Sequence, residues 1–260
     1  MTGARRIVVL GVALAAACAT PPGEPLDEAP FGTSAGSNNV FLSPGERLPD
    51  NAACAERVTR TREHKPMNES FNRVRGVPGK LKGKGKYLPR VDGDFAGTTD
   101  EILQWTACKW GVPSDVVRAM AVVESYWKMT QQGDWSDKHD RCAPGLPTRS
   151  ESHPGKCAES LGILQVRYPY HGATFPEAAL STAYNADYAF GVWRSCFEGE
   201  ETWLSNQPRN SGYRKGDALG CIGRWASGEW WSPWAREYVR RVKLALVERK
   251  WETDPSFGPH

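Results

Sequence analysis

The chain has 260 residues, with 33 Lys and Arg against 30 Asp and Glu for a net charge of +3, and that length accommodates one or two domains. After the first 17 residues no apolar run is long enough to cross a membrane. There are no internal repeats or low-complexity tracts either, so multi-span membrane proteins and solenoids are excluded. The N-terminal part is too poor in large apolar residues to fold alone, so one compact domain is expected.

Met1 to Ala17 joins a short basic start (Arg5, Arg6) to an apolar run from Ile7 to Ala17. This is the layout of an export signal, and the run is too short to span a bilayer comfortably. AAAC at 15–18 resembles a bacterial lipoprotein cleavage site, with Ala15 where a leucine is preferred and Leu14 one position early. The resemblance implies a lipidated Cys18, an anchor in a membrane, and a chain facing the cell wall or periplasm. Cleavage after Ala19 in the ACA pattern would instead release a secreted protein.

Residues 19–53 are rich in Pro, Gly, Ala and acids without periodicity, and are expected to be a disordered linker. Residues 54–90 hold eleven Lys and Arg against three Glu, much of it in GKLKGKGKYLPR at 79–90, so the small overall charge hides a basic segment, 54–97, expected to be partly ordered. Nucleic acid is one partner for such a patch. Export makes an anionic wall polymer or membrane surface the expected one, and a solvated linker explains the charge equally well.

The remaining cysteines, Cys54, Cys108, Cys142, Cys157, Cys196 and Cys221, are even in number and lack CxxC or zinc-like spacing. They read as disulfides in an oxidising compartment. Spacing does not choose among the connectivities; the working pairing is Cys142 with Cys157 closing a loop, Cys196 with Cys221 joining helices, and Cys54 with Cys108 tying the basic segment to the domain.

From Thr98 the pattern becomes helical, and a mainly α domain is expected over 98–251 with a tail at 252–260. Thr98, Thr99 and Asp100 offer caps before EILQWTACKW, Gly111 to Pro113 interrupts, and Ser114 is placed to cap a second helix with Asp115 in its first turn. In SDVVRAMAVVESYW, Val116, Met120, Val123 and Trp127 recur at helical spacing as a core stripe, with Glu124 on its shoulder. Helices are predicted near 177–197, 217–227 and 233–250, and a short hairpin between 128 and 170.

A carboxyl group on an apolar helix shoulder has either a partner or a function, and the segments that follow favour function. GVPSDVVRAMAVVES resembles the helix carrying the catalytic Glu-Ser pair in soluble-type (SLT) lytic transglycosylases, relatives of goose-type lysozyme. ESLGILQVRY at 159–168 is similar to their Gly-Leu-Met-Gln segment, STAYNADYAFGVWRSC at 181–196 to their Asn-led helix, and REYVRRV at 236–242 to their final Tyr-Val helix. GRWASGEWW at 223–231 takes the place of Ala-Tyr-Asn-Ala-Gly, with Trp225 for the tyrosine. Order and spacing hold over residues 98–250. The resemblance implies a lysozyme-like fold without a cofactor. It also implies cleavage of the β-1,4 bond between N-acetylmuramic acid and N-acetylglucosamine in peptidoglycan, with Glu124 as acid and then base. Ser125, Gln165, Asn185, Trp225 and Tyr238 would bind or position the substrate.

Protonating a glycosidic oxygen near neutral pH needs a carboxyl group of raised pKa, which desolvation by Val123, Tyr126 or Trp127 can supply. Lytic transglycosylases resemble one another in lacking a second carboxylate: the same glutamate deprotonates the C6 hydroxyl and a 1,6-anhydro ring closes. A hydrolytic muramidase would need a base for water, and of the loop acids Asp134, Asp137 and Asp140, Asp137 is the candidate. A non-catalytic wall-binding lipoprotein would use the ring faces of Trp127, Trp193, Trp225, Trp230, Trp231 and Trp234. No phosphate loop, HExxH, GxSxG or EF-hand pattern occurs. His64, His139, His153, His171 and His260 are scattered, so no metal is assigned, and the chain is read as a monomer that does not bind nucleic acid.

Overall fold

The computed structural model describes residues 41–146, 150–206 and 212–257. The proposed lipidation site, Cys18, and the proposed export signal lie outside them.

The chain enters through α1 (Asn51–Arg57) and the single turn α2 (Glu69–Asn72), then α3 (Thr99–Trp110) and α4 (Ser114–Ser125). Three short strands follow, β1 (Gln132–Ser136), β2 (Cys157–Leu161) and β3 (Val166–Arg167), antiparallel in the order β1-β2-β3. The remainder is helical: α5 (Tyr168–His171), α6 (Glu177–Leu180), α7 (Thr182–Phe197), α8 (Ala218–Ser227), α9 (Pro233–Glu248) and α10 (Lys250–Thr253). Packing contacts run from α3 to α4, α9, α8, α7 and back to α3, a closed circuit. Within it α7 is buried along nearly its whole length.

Local chemistry explains most boundaries. Thr98 and Glu101 form a reciprocal capping box at the start of α3, and Gly111, at φ 64°, ends it in the left-handed conformation. Ser114 does not cap α4. Pro113 occupies that position, and the Ser114 hydroxyl accepts a hydrogen bond from Arg118. The segment predicted as one helix near 177–197 is two, because Ser181 turns extended and caps α7 through the backbone N–H of Tyr184.

The linker and tail boundaries require correction. Within 41–53, expected to be disordered, Leu42 and Phe41 pack on the core, Leu48 is buried and α1 begins. The reason is electrostatic as well as apolar: the buried Arg194 donates to the carbonyls of Leu42 and Ser43, and its partner Glu198 accepts from Gly45. The basic segment is also part of the domain. Leu81, Tyr87 and Val91 are buried, and Lys65 reaches the carbonyl of Ser256. At the other end Phe257 is wholly buried, so 252–257 is not a tail.

Three disulfides form, Cys54–Cys108, Cys142–Cys157 and Cys196–Cys221. They tie α1 to α3, close the loop between β1 and β2, and join α7 to α8. Each is expected to contribute about 2–4 kcal/mol. Reduction, verified by thiol titration, is expected to lower the melting temperature well below that of the oxidised protein; an unchanged melting curve would refute this.

Candidate active site

Glu124 occupies the last turn of α4 and faces a cleft of about 860 Å³ between the sheet, α8 and α9. Its neighbours there include Val123, Gln165, Trp225, Tyr238 and Arg241. Val116, Met120 and Trp127 of the expected core stripe are buried, while Val123 packs on the core half-buried and also forms part of the cleft wall.

Desolvation lifts the Glu124 carboxyl group to a pKa of about 7, and the charge of Asp134 adds to the rise. The Tyr238 hydroxyl, Arg241 and Trp225 pull in the opposite direction and are outweighed. Tyr238 donates to Glu124 Oε1 at 2.5 Å. Burial above all, with the adjacent Glu124 adding to it, holds the Tyr238 phenol well above the usual tyrosine range. The pair is therefore an acid that keeps its proton near neutrality beside a phenol that does not ionise.

The residues singled out in the sequence separate into those in the cleft and those behind it. Gln165, Trp225 and Tyr238 line the cleft with Glu124. Gln165 has a left-handed backbone, φ 49°, and its amide donates to the carbonyls of Gln131 and Gly162, which fixes the side chain over the strand turn. Trp225 donates to the carbonyl of Leu164 and stacks on His171 at 5.7 Å.

Ser125 and Asn185 do not reach the substrate space. The buried Ser125 hydroxyl donates to the carbonyl of Ile163, pinning the end of α4 to the β2–β3 turn. Asn185, wholly buried on α7, donates to the carbonyls of Leu161 and Ala178 and accepts from the backbone N–H of Leu164. It is a scaffold for the same turn. Gly162 permits this: its φ is 89°, and a Cβ there would stand 2.2 Å from the Asn185 amide nitrogen.

Asp137 is likewise misplaced as a second carboxylate. It is exposed just beyond the end of β1 and away from the cleft lining. Asp134, inside the strand at φ 52°, lines the cleft and accepts from the Ser160 hydroxyl. The choice of Asp137 among the loop acids fails because the strand's extent, which residue spacing leaves open, decides which acid turns inward.

His171, one of the scattered histidines given no role in the sequence, lines the cleft. Its Nδ1 is 2.9 Å from the Tyr188 hydroxyl, and burial with the charge of Arg224 lowers its pKa to about 4, so it is neutral at physiological pH. Tyr170, Trp203 and Trp234 stand on the rim as exposed rings, 68%, 40% and 61% accessible. Of the tryptophans considered as binding faces, Trp127, Trp193 and Trp230 are buried in the core.

Among the described residues no group of His, Cys, Asp or Glu is arranged to hold a metal ion, and no helix is long and apolar enough to cross a membrane. Comparison of the chain with family models, curated proteins and solved structures found no match.

Proposed function

We propose that the chain is a peptidoglycan lytic transglycosylase with a lysozyme-like domain. The observation that carries this reading is Glu124, a carboxyl group of pKa about 7 hydrogen-bonded to Tyr238 within a cleft rimmed by exposed aromatic rings. Such a group is protonated often enough to act as an acid at neutral pH and is basic enough, once ionised, to take a proton back. In the proposed reaction Glu124 gives its proton to the glycosidic oxygen between N-acetylmuramic acid and N-acetylglucosamine as the C1–O bond breaks. It then removes the proton of the muramyl C6 hydroxyl, whose oxygen bonds to C1. The proton gained balances the proton lost and no water is consumed.

Tyr238 and Gln165 are assigned to holding Glu124 and the sugar, and Trp225 to stacking on a pyranose ring. The export signal and Cys18 support an anchored, wall-facing location, and the three disulfides are compatible with it.

A second reading, hydrolysis, is favoured by one observation: Asp134 lines the same cleft and its charge acts on Glu124. Two acids flanking a glycosidic bond are the usual hydrolase arrangement. Mass spectrometry of purified peptidoglycan digested by the protein separates the two. Products with 1,6-anhydro ends, one water lighter than reducing ends, are expected. Reducing ends that disappear in Asp134→Asn would establish the muramidase, and absence of cleavage would favour a wall-binding protein.

A further inference from the structure

Directly after the Glu124-Ser125 pair the backbone takes two consecutive left-handed residues, Tyr126 at φ 56° and Trp127 at φ 63°. Neither is glycine, and left-handed backbone is unfavourable for residues with a Cβ. Stopping a helix does not demand this. The chain ends α3 with Gly111 and α8 with Gly228, in the same conformation and without the steric cost. The other non-glycine stop, Arg249 at the end of α9, has its side chain bonded to Asp115, and at the end of α4 two large rings occupy the positions, which points to a use for the rings themselves.

Both rings are gripped by the segment after α9. Phe257, wholly buried, lies 4.7 Å from the Tyr126 ring and meets the Trp127 ring edge-on at 5.1 Å. Trp251 stacks on Trp127 at 6.5 Å, and Asp254 accepts a hydrogen bond from the Tyr126 hydroxyl. Lys65 places its ammonium 3.9 Å from the Phe257 ring centroid while donating to Ser256.

The other end of α4 is held from the same side. Arg249, the left-handed residue that ends α9, donates to Asp115 in the first turn of α4 at 2.6 Å. Trp127 also reaches back, its indole N–H donating to the carbonyl of Arg118. From the N-terminal segment, Asn68 donates to the carbonyl of Trp127 and accepts from the N–H of Met129. The helix bearing Glu124 is thus clamped end to end by residues outside the cleft.

We infer that residues 249–257, with Phe257 as the anchor, are a positioning element for Glu124: they hold the left-handed Tyr126-Trp127 turn so that the last turn of α4 keeps the carboxyl group desolvated against Tyr238. Release of the rings lets the turn relax to an ordinary helical or extended backbone, which moves and hydrates Glu124. The inference rests on Glu124 as the reacting acid, but its first readout does not require turnover.

The test is carbon-13 NMR titration of the Glu124 side-chain carboxyl, with glycan-cleavage kinetics, in Phe257→Leu and Asp254→Ala. Phe95→Leu, which disturbs a core ring stacked on Trp105, serves as a control for general loosening. The Glu124 midpoint is expected to fall from about 7 toward 4.5 in Phe257→Leu, and by less in Asp254→Ala, while Phe95→Leu leaves it near 7. The turnover number is expected to drop on the order of tenfold to a hundredfold in Phe257→Leu with little change in KM. A midpoint that stays near 7 in folded Phe257→Leu and Asp254→Ala overturns the inference, as does an equal fall in all three. If the wild-type protein cleaves nothing, the proposed activity fails while the titration still decides this point.

Discussion

Glu124→Gln is expected to remove glycan cleavage by a factor of about 10²–10⁴ while leaving the fold and the affinity for glycan strands intact. Glutamine fills the same volume and can still accept from the Tyr238 hydroxyl at 2.5 Å, but it has no proton to give the leaving oxygen. A variant with full wall-degrading activity would sink the assignment of Glu124. In the wild type, loss of the proton removes the acid, so activity in the acid-limited step is expected to decline as pH rises through about 7.

The same substitution has a stability signature of opposite sign. The folded protein holds the Glu124 proton at pH values where the unfolded chain, with an ordinary glutamate near 4.5, has lost it. Stability is therefore greatest below 4.5 as far as this group is concerned and is lost as pH rises toward about 7. Above that pH the half-buried carboxylate costs about 1–3 kcal/mol, and Glu124→Gln does not carry that cost. The variant is expected to melt above the wild type at pH 8 and to match it more closely at pH 5, measured by calorimetry.

Periodicity and local capping made much of the helical framework legible. A helix start capped within residues 98–100, the break at Gly111 and the core positions Val116, Met120 and Trp127 followed from residue type and spacing, because they depend on neighbours within a few positions; the structure selects Thr98 among the three caps and pairs it with Glu101. Asn185 was misjudged for the converse reason: its partners, Leu161, Leu164 and Ala178, meet only when α7 packs behind the strands. Asp134 and His171 depend on a strand edge and on a fold that turns α5 toward α8. Residues 41–53 have few large apolar groups, but Leu42, Leu48 and Phe41 suffice when the buried Arg194 binds the backbone carbonyls of Leu42 and Ser43. Sequence composition undervalues a segment stabilised by a cation on another element.

Asp187→Ala is expected to be the most destabilising single change outside the cleft, at about 3–5 kcal/mol. Asp187 is wholly buried on α7 and accepts from Lys109 Nζ at 2.8 Å, the Trp110 indole N–H at 2.8 Å and the backbone N–H groups of Asp92 and Gly93 at 2.9 Å. Lys109 is itself buried, and its other anionic partner is Asp92 at 2.8 Å. Alanine would leave a buried ammonium short of one counter-charge and three further donors without an acceptor, each carrying its desolvation cost. Since a domain is typically stable by only about 5–15 kcal/mol, the loss would be visible as a large fall in the denaturant midpoint. Lys109→Met combined with Asp187→Leu separates the two contributions. If the cost comes chiefly from stranding a charge, the double variant recovers much of what Asp187→Ala loses, because an apolar pair of similar volume strands no ion. If it recovers nothing, the dominant loss is the anchoring of the Asp92-Gly93 backbone and Trp110, and Asp187 acts as the staple between α3, α7 and the basic segment.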